Sequence, residues 1–180
     1  SNMMFLTAGT FLKKIDWKKA LVILLYCTFF NLIGALIAGW LFANSAAYAG
    51  LSKDSFISGV VQMKLARSNE LILLEGVLAN IFVNIAILSF VLVKDSTAKL
   101  FLVISAIYMF VFLTNEHLAA NFASFAIVKF SSAAAEVQNF GIGNILRHWG
   151  VTFIGNLIGG GLLIGLPYAW FNKEESNYVD

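Results

Sequence analysis

Residues 100–130 form an apolar run that is too long for one membrane-crossing helix, and it is cut in its middle by Thr114-Asn115-Glu116-His117. A bilayer core about 30 Å thick takes roughly 20 apolar residues of helix. Four consecutive polar residues, two of them ionisable, do not belong in a helix that faces lipid. Non-helical backbone at membrane depth survives only where it is buried in protein or lines a water-filled cavity. The expected arrangement is therefore two half-helices meeting at a polar break. Three further apolar runs, at about 20–42, 71–93 and 149–171, are long enough to span a bilayer. The chain reads as an all-α membrane protein with a single transmembrane domain over residues 1–180, in which the third of four spans is broken near 114–117.

Composition narrows the function classes. Of 180 residues, 59% are hydrophobic and only 12% charged, against about 25% charged in a typical soluble domain. A net charge of +2, with no basic cluster interleaved with aromatics, gives no footing for a nucleic-acid partner. The single cysteine, Cys27, excludes an intrachain disulfide and a cysteine-based metal site, and is read as a packing residue. No signal-peptide pattern opens the chain. No HExxH, CxxC or glycine-rich nucleotide loop is present. Of the two histidines, His117 falls mid-span, while His148 is expected with Arg147 at the membrane interface, so no paired ligand set is expected and no cofactor is assigned. A membrane-embedded enzyme subunit is thereby disfavoured. A non-conducting structural subunit would have an occluded centre, which the 114–117 segment argues against.

Loop charges suit a multi-pass protein of the cell membrane. Lys13, Lys14, Lys18, Lys19, Lys94, Lys99 and Lys173, with Asp95, Glu174 and Glu175, fall on one side. Lys53, Lys64, Arg67, Lys129 and Arg147 fall on the other, so the positive-inside asymmetry is modest. The segment 44–69 is amphipathic and is expected to hold a short interfacial helix. Glu75, at the outer end of the second run, is expected to pair with Arg67 or Lys64.

Two apolar runs share a phrase: FFNLIGALIAG at 29–39 and FIGNLIGGGLLIG at 153–165. In a four-span order they run in opposite directions, which is the mark of an inverted repeat. Gly34 and Ala38, Gly155 and Gly159, and Gly161 and Gly165 have the small-xxx-small spacing that lets helix backbones approach closely. Asn31 and Asn156 are expected to form interhelical hydrogen bonds.

Three segments carry a family resemblance. TNEHLAAN at 114–121 resembles the GFEHSxAN signature, EGVLANIFVNIAI at 75–87 resembles GIxCNxxVCLA, and GNLIGGGLLIGLPYAW at 155–170 resembles GNxxGGxxxVGxxYW, all of the formate/nitrite transporter family. SNMMFLTAG at the start resembles that family's TGNNM-type segment. The resemblance implies an aquaporin-like inverted-repeat helical bundle of six spans with two broken helices. This chain would cover about four of the six, the third to the sixth, with the first two apparently absent and Ser1 internal to a longer protein. It also implies a homo-pentamer with one pore per protomer. The departures, Thr114-Asn115 for Gly-Phe, Leu118 for Ser, and Ala79 and Asn84 for Cys, resemble the hydrosulfide-channel branch.

The resemblance further implies a conduit for small anions of weak acids: hydrosulfide, formate or nitrite. Lys64 corresponds to a vestibule lysine, which would raise local anion concentration. Phe110 and Val83 correspond to the constriction, and Asn80 offers an amide to the permeant. The half-helix starting near His117 would present free N–H groups and positive dipole potential to the anion. An ordinary imidazole titrates near pH 6.5, so His117 is suited to hand a proton to such an anion or to hydrogen-bond it. Thr114, Asn115, Glu116 and Asn121 are expected to support the break.

Overall fold

The computed structural model describes residues 2–48 and 50–173. Ser1, Glu174 and Glu175, used in the reading above, lie outside them. The described residues form helices and no strand. Helix α1 spans Asn2–Phe11. Asp16 caps α2, Trp17–Ala43, by accepting from the Lys18 N–H at 2.9 Å. Then come α3, Phe56–Ala66, and α4, Asn69–Leu92, whose cap Ser68 accepts from the Leu71 N–H. Helix α5 spans Ser96–Phe112, with Asp95 accepting from the Ala98 N–H, and α6 spans Leu118–Lys129. Each short polar residue before an apolar run satisfies a first-turn donor that the helix itself leaves free.

The last run is continuous but not uniform. Helix α7, Ile142–Asn156, passes into a π-helical segment, Leu157–Gly165, and then into α8, Leu166–Phe171. A π segment fits one extra residue into a helical path. The sequence carries that residue: the interval from Asn156 to Gly165 is one longer than that from Asn31 to Gly39. Among the described residues three helices are long and apolar enough to cross a membrane: Trp17–Ala43, Asn69–Leu92 and Ile142–Phe171.

The distribution of polarity departs from that of a soluble fold, with large apolar side chains outside and many polar ones inside. Leu21, Leu25, Phe29, Ile37 and Trp40 on α2, and Phe101, Ile104, Tyr108 and Phe112 on α5, are exposed. Asn80, Asn84, Asn115, Glu116, Asn121, His148, Thr152 and Asn156 are buried. Lipid is as apolar as the outer side chains, so little drives those inward, whereas every polar group must find a partner within the protein.

Close backbone contacts set the helix pairs. Helix α2 packs on α6, where a Cβ on Gly39 would stand 2.5 Å from that of Ala126. Helix α4 packs on α7 and the π segment, with Gly76 against Gly155 and Val77 against Gly159. Helix α1 packs on the π segment, with Thr7 against Gly161 and Met4 against Gly165. A short helix followed by a long one thus occurs twice, as α1–α2 and α6–α7, and each short helix packs on the long helix of the other pair.

Helix α3 is the short helix expected within 44–69, and it is two-faced: Phe56, Gly59 and Met63 are exposed, while Ser58, Val61, Lys64 and Leu65 are buried. Val61 and Leu65 join Phe125, Val128 and Ile145 in one apolar cluster. Burial against α6 and α7 carries Lys64 inward.

Candidate functional site

Helical hydrogen bonding stops at Phe112 and resumes at Leu118. The polar backbone groups between must be satisfied by other means. Lys64 Nζ donates to Thr114 O at 2.9 Å and to Asn115 O at 3.3 Å. Arg67 Nη1 donates to Thr114 O at 3.1 Å, and its Nη2 donates to the Thr114 hydroxyl at 3.0 Å. Asn156 Nδ2 donates to Glu116 O at 2.8 Å and to Gly76 O at 2.9 Å, while its Oδ1 accepts from Leu118 N–H at 3.0 Å. One asparagine thus ties α7, α4, the interruption and the start of α6 together. Thr114 has φ 52, a left-handed conformation normally given to glycine at a helix C-terminus and costing other residues of order 1–3 kcal/mol. Two Arg67 nitrogens hold it there.

The interruption sorts its side chains onto two sides. His117 has φ −116 and ψ 122, which is extended backbone, and successive side chains along extended backbone point opposite ways. Glu116 therefore enters the protein while His117 enters a cavity.

On the Glu116 side lies a buried ionic cluster. Glu116 is 0% exposed. Its Oε2 accepts from Lys64 Nζ at 2.8 Å and from Asn121 Nδ2 at 2.7 Å, and its Oε1 accepts from Arg67 Nη1. Arg67 also pairs with Glu75 at 2.5 Å, so of the two partners considered for Glu75 the arginine is the one in contact. His148 Nε2 lies 3.2 Å from Glu116 Oε2.

On the other side a cavity of about 250 Å³ is lined by Asn80, Val83, His117, Leu118, Ala119 and Asn156, with Cys27, Thr28 and Asn31 of α2 opposite. His117 stands at the N-cap of α6 without making a side-chain capping bond, and the first-turn residues Leu118 and Ala119 border the space. Asn84 Nδ2 donates to Asn80 Oδ1 at 3.3 Å, which leaves the Asn80 amide NH2 for the cavity. Gly160 makes room for this pair, since a Cβ there would stand 2.6 Å from Asn80 Oδ1.

The structure brings His117, Asn80 and Val83 to one cavity. Phe110 is not in that lining; its ring centre lies 5.8 Å from that of His117. Lys64 lies with Thr114, Glu116 and Asn121 in the ionic cluster. Asn115 is buried beside it, and its Nδ2 has no hydrogen-bond partner among the described residues.

Two expectations gain detail. His148, expected at the membrane interface, does not face solvent: it is 0% exposed, packed within the protein on α7, which starts at Ile142, before the 149–171 run. The signal was the period of four, His148, Thr152 and Asn156, which places three polar residues on one helix face; all three are buried. Arg147, next to it, reaches back to Leu65 O and Asn69 Oδ1 and so fastens the start of α7 to the α3–α4 corner. Asn31 and Asn156, read as equivalent, differ: Asn156 is buried and fully used, while Asn31 is exposed and borders the cavity. Among the described residues no cluster of three or more His, Cys, Asp or Glu is arranged to hold a metal ion.

A family model described as formate/nitrite transporter matches residues 1–170. The chain is 26% identical to the uncharacterized transporter YwcJ of Bacillus subtilis, over 97% of this chain and 67% of that protein. It is 30% identical to the uncharacterized transporter YrhG of the same organism, over 97% and 65%. It is 26% identical to the formate channel BtFdhC of Bacillus thuringiensis, over 98% and 66%. A solved structure described as an FNT family ion channel matches with a TM-score of 0.84 at 23% identity, over 94% of this chain and 66% of that one, a likeness of fold. The chain therefore spans about two thirds of the length of these relatives. All of them are transporters or channels, not enzymes.

Proposed function

The chain belongs to the formate/nitrite transporter family, and we propose that it conducts small monovalent anions of weak acids through the cavity at His117. Hydrosulfide, formate and nitrite are the candidate permeants, with the departures at Thr114, Asn115, Leu118, Ala79 and Asn84 favouring hydrosulfide. On this reading the four helical passes are the third to sixth of a six-span, aquaporin-like inverted repeat, with α5 and α6 the two halves of one broken span. The protein works as a homo-pentamer in the cell membrane.

The observation that carries the reading is one space bordered by an imidazole, a free amide and the N-terminus of α6. An unpaired ion in a low-dielectric site costs several kcal/mol even after relaxation. The N-terminal turn of α6 supplies donors and positive potential, Asn80 supplies an amide N–H, and His117 supplies a proton that neutralises the anion as it crosses. Val83 and, behind the imidazole, Phe110 keep the passage apolar, so the neutral acid crosses more easily than its hydrated base. A volume of about 250 Å³ holds such an acid with several waters, at about 30 Å³ each. The bonds of Lys64 to Thr114, Asn115 and Glu116 hold the interruption open.

The test is flux of hydrosulfide, formate, nitrite and chloride into liposomes holding the protein, across pH. Weak-acid anions are expected to enter faster as pH falls, and chloride is not. His117→Ala is expected to lower that flux by about a hundredfold or more, within the range of a lost proton-transfer group, about 10²–10⁴-fold. Flux unchanged by this substitution at every pH overturns the histidine mechanism.

A further inference from the structure

His148 is the one ionisable side chain of the buried cluster that charge balance does not require. Glu116 and Glu75 are matched by Lys64 and Arg67. Yet an imidazole, 0% exposed, stands 3.2 Å from Glu116 Oε2. An ionised carboxylate only accepts hydrogen bonds, so the nitrogen facing it, Nε2, is the one placed to carry a proton, although its 3.2 Å contact does not have the geometry of a hydrogen bond. Its other nitrogen, Nδ1, is buried with no hydrogen-bond partner among the described residues. A buried polar atom without a partner is costly and calls for an explanation.

We propose that His148 is a second proton-binding site of the transport path, a positioning residue that acts on His117 through Glu116. This rests on the anion-transport reading above. With Nδ1 unprotonated, the imidazole is neutral and the cluster carries no net charge. One proton from the aqueous side, taken up at Nδ1, turns the contact with Glu116 into an imidazolium–carboxylate pair and leaves the cluster at +1. Charge-assisted hydrogen bonds are roughly twice as strong as neutral ones. The carboxylate is then held more firmly, and His117, the next residue along the extended backbone, is held with it.

The surroundings fit such a site. Glu75 faces the cluster from α4, Lys64 from α3, and Arg67 from the corner between them. Helix α6 contributes Asn121, which shares Glu116 Oε2, and the Phe125 ring, 5.2 Å from the imidazole centre; its one charged residue, Lys129, is exposed at the far end. On α7 itself the neighbouring cation, Arg147, is turned toward Leu65 and Asn69. The members of the cluster with most access to water are Arg67 and Glu75, whose side chains are 9% and 16% exposed.

Two measurements test this. Flux against pH is expected to show two titration steps in the unaltered protein. His148→Gln keeps a donor for Glu116 but cannot titrate, and is expected to lose one step, removing about a tenfold part of the pH response, the scale of a charge-assisted against a neutral hydrogen bond. The step that depends on His117 is expected to remain. Nitrogen-15 spectra of the histidines in the unaltered protein need no variant: both His117 and His148 are expected to titrate, one of them over the pH range of the second step. A His148→Gln profile superposing on the unaltered one, or only one titrating histidine, overturns the inference and leaves the transport reading standing. Absence of weak-acid flux from the unaltered protein at any pH overturns the transport reading and this inference with it.

Discussion

The two Asn-Leu-Ile-Gly helices are nearly the same in sequence and are used differently. In α2, Gly39 presses on Ala126 of α6, but a Cβ on Gly34 would meet nothing within 4 Å, and Asn31 is exposed toward the cavity. In the α7–π–α8 run every corresponding position is engaged. Gly159 would place a Cβ 2.2 Å from Val77 O, Gly161 stands against Thr7, and Asn156 holds three backbone groups on three elements. Helix α4 makes the difference, because it lies along the second copy and no described element lies along the same side of the first. The extra residue of the second copy adds to the contrast. In the π segment, Gly159, Gly160 and Gly161 turn toward the α4 backbone, the Asn80–Asn84 pair and α1 respectively. A small-residue phrase thus permits close approach, and the neighbour decides whether the permission is used.

The largest expected effect breaks the asymmetry at its charged centre. Glu116→Ala leaves Lys64 buried beside Arg67 with no carboxylate at the interruption, and removing one partner of a buried pair costs about 3–5 kcal/mol. The unfolding midpoint in detergent should fall accordingly, and an unchanged midpoint would mean that water, not Glu116, satisfies those cations. Next come the glycines. Gly159→Ala is expected to cost up to about 3 kcal/mol by overpacking against Val77, while Gly34→Ala should change stability by about 0.5 kcal/mol or less. Equal losses at the two sites would show that a partner covers Gly34 in the assembled protein. The smallest effect on stability separates the asparagines. Asn156→Ala strips a buried acceptor and two donors and should cost about 1–3 kcal/mol. Asn31→Ala should be near neutral for unfolding and should register in anion flux, since its amide borders the cavity.

Much of this was legible in the chain. Apolar runs of bilayer length located the long helices, and the TNEH segment, four polar residues among apolar ones, located the stop in helical hydrogen bonding between Phe112 and Leu118. Family motifs named His117, Asn80 and Val83, which the fold brings to one cavity. His148 escaped because hydropathy windows read an average, and a single histidine upstream of a long apolar run looks like the edge of a membrane. The period-four stripe through Thr152 and Asn156 was the better guide. Thr114 was visible only as a departure from glycine; that its backbone is left-handed, and that Arg67 holds it there, follows from the tertiary structure.

Hydropathy, caps and motifs are local properties, so the sequence alone determined that this protein is a helical membrane protein with a polar interruption in an apolar run. Which groups meet at that interruption was decided only in three dimensions. Lys64, Asn121, His148 and Asn156 reach it from α3, α6 and α7, across as many as 52 positions of chain for Lys64 and Glu116. The physical reason is that a carboxylate placed away from water takes whatever donors the packing delivers. Close glycine contacts between α4 and α7 and the apolar packing of α3 on α6 and α7 set which donors those are.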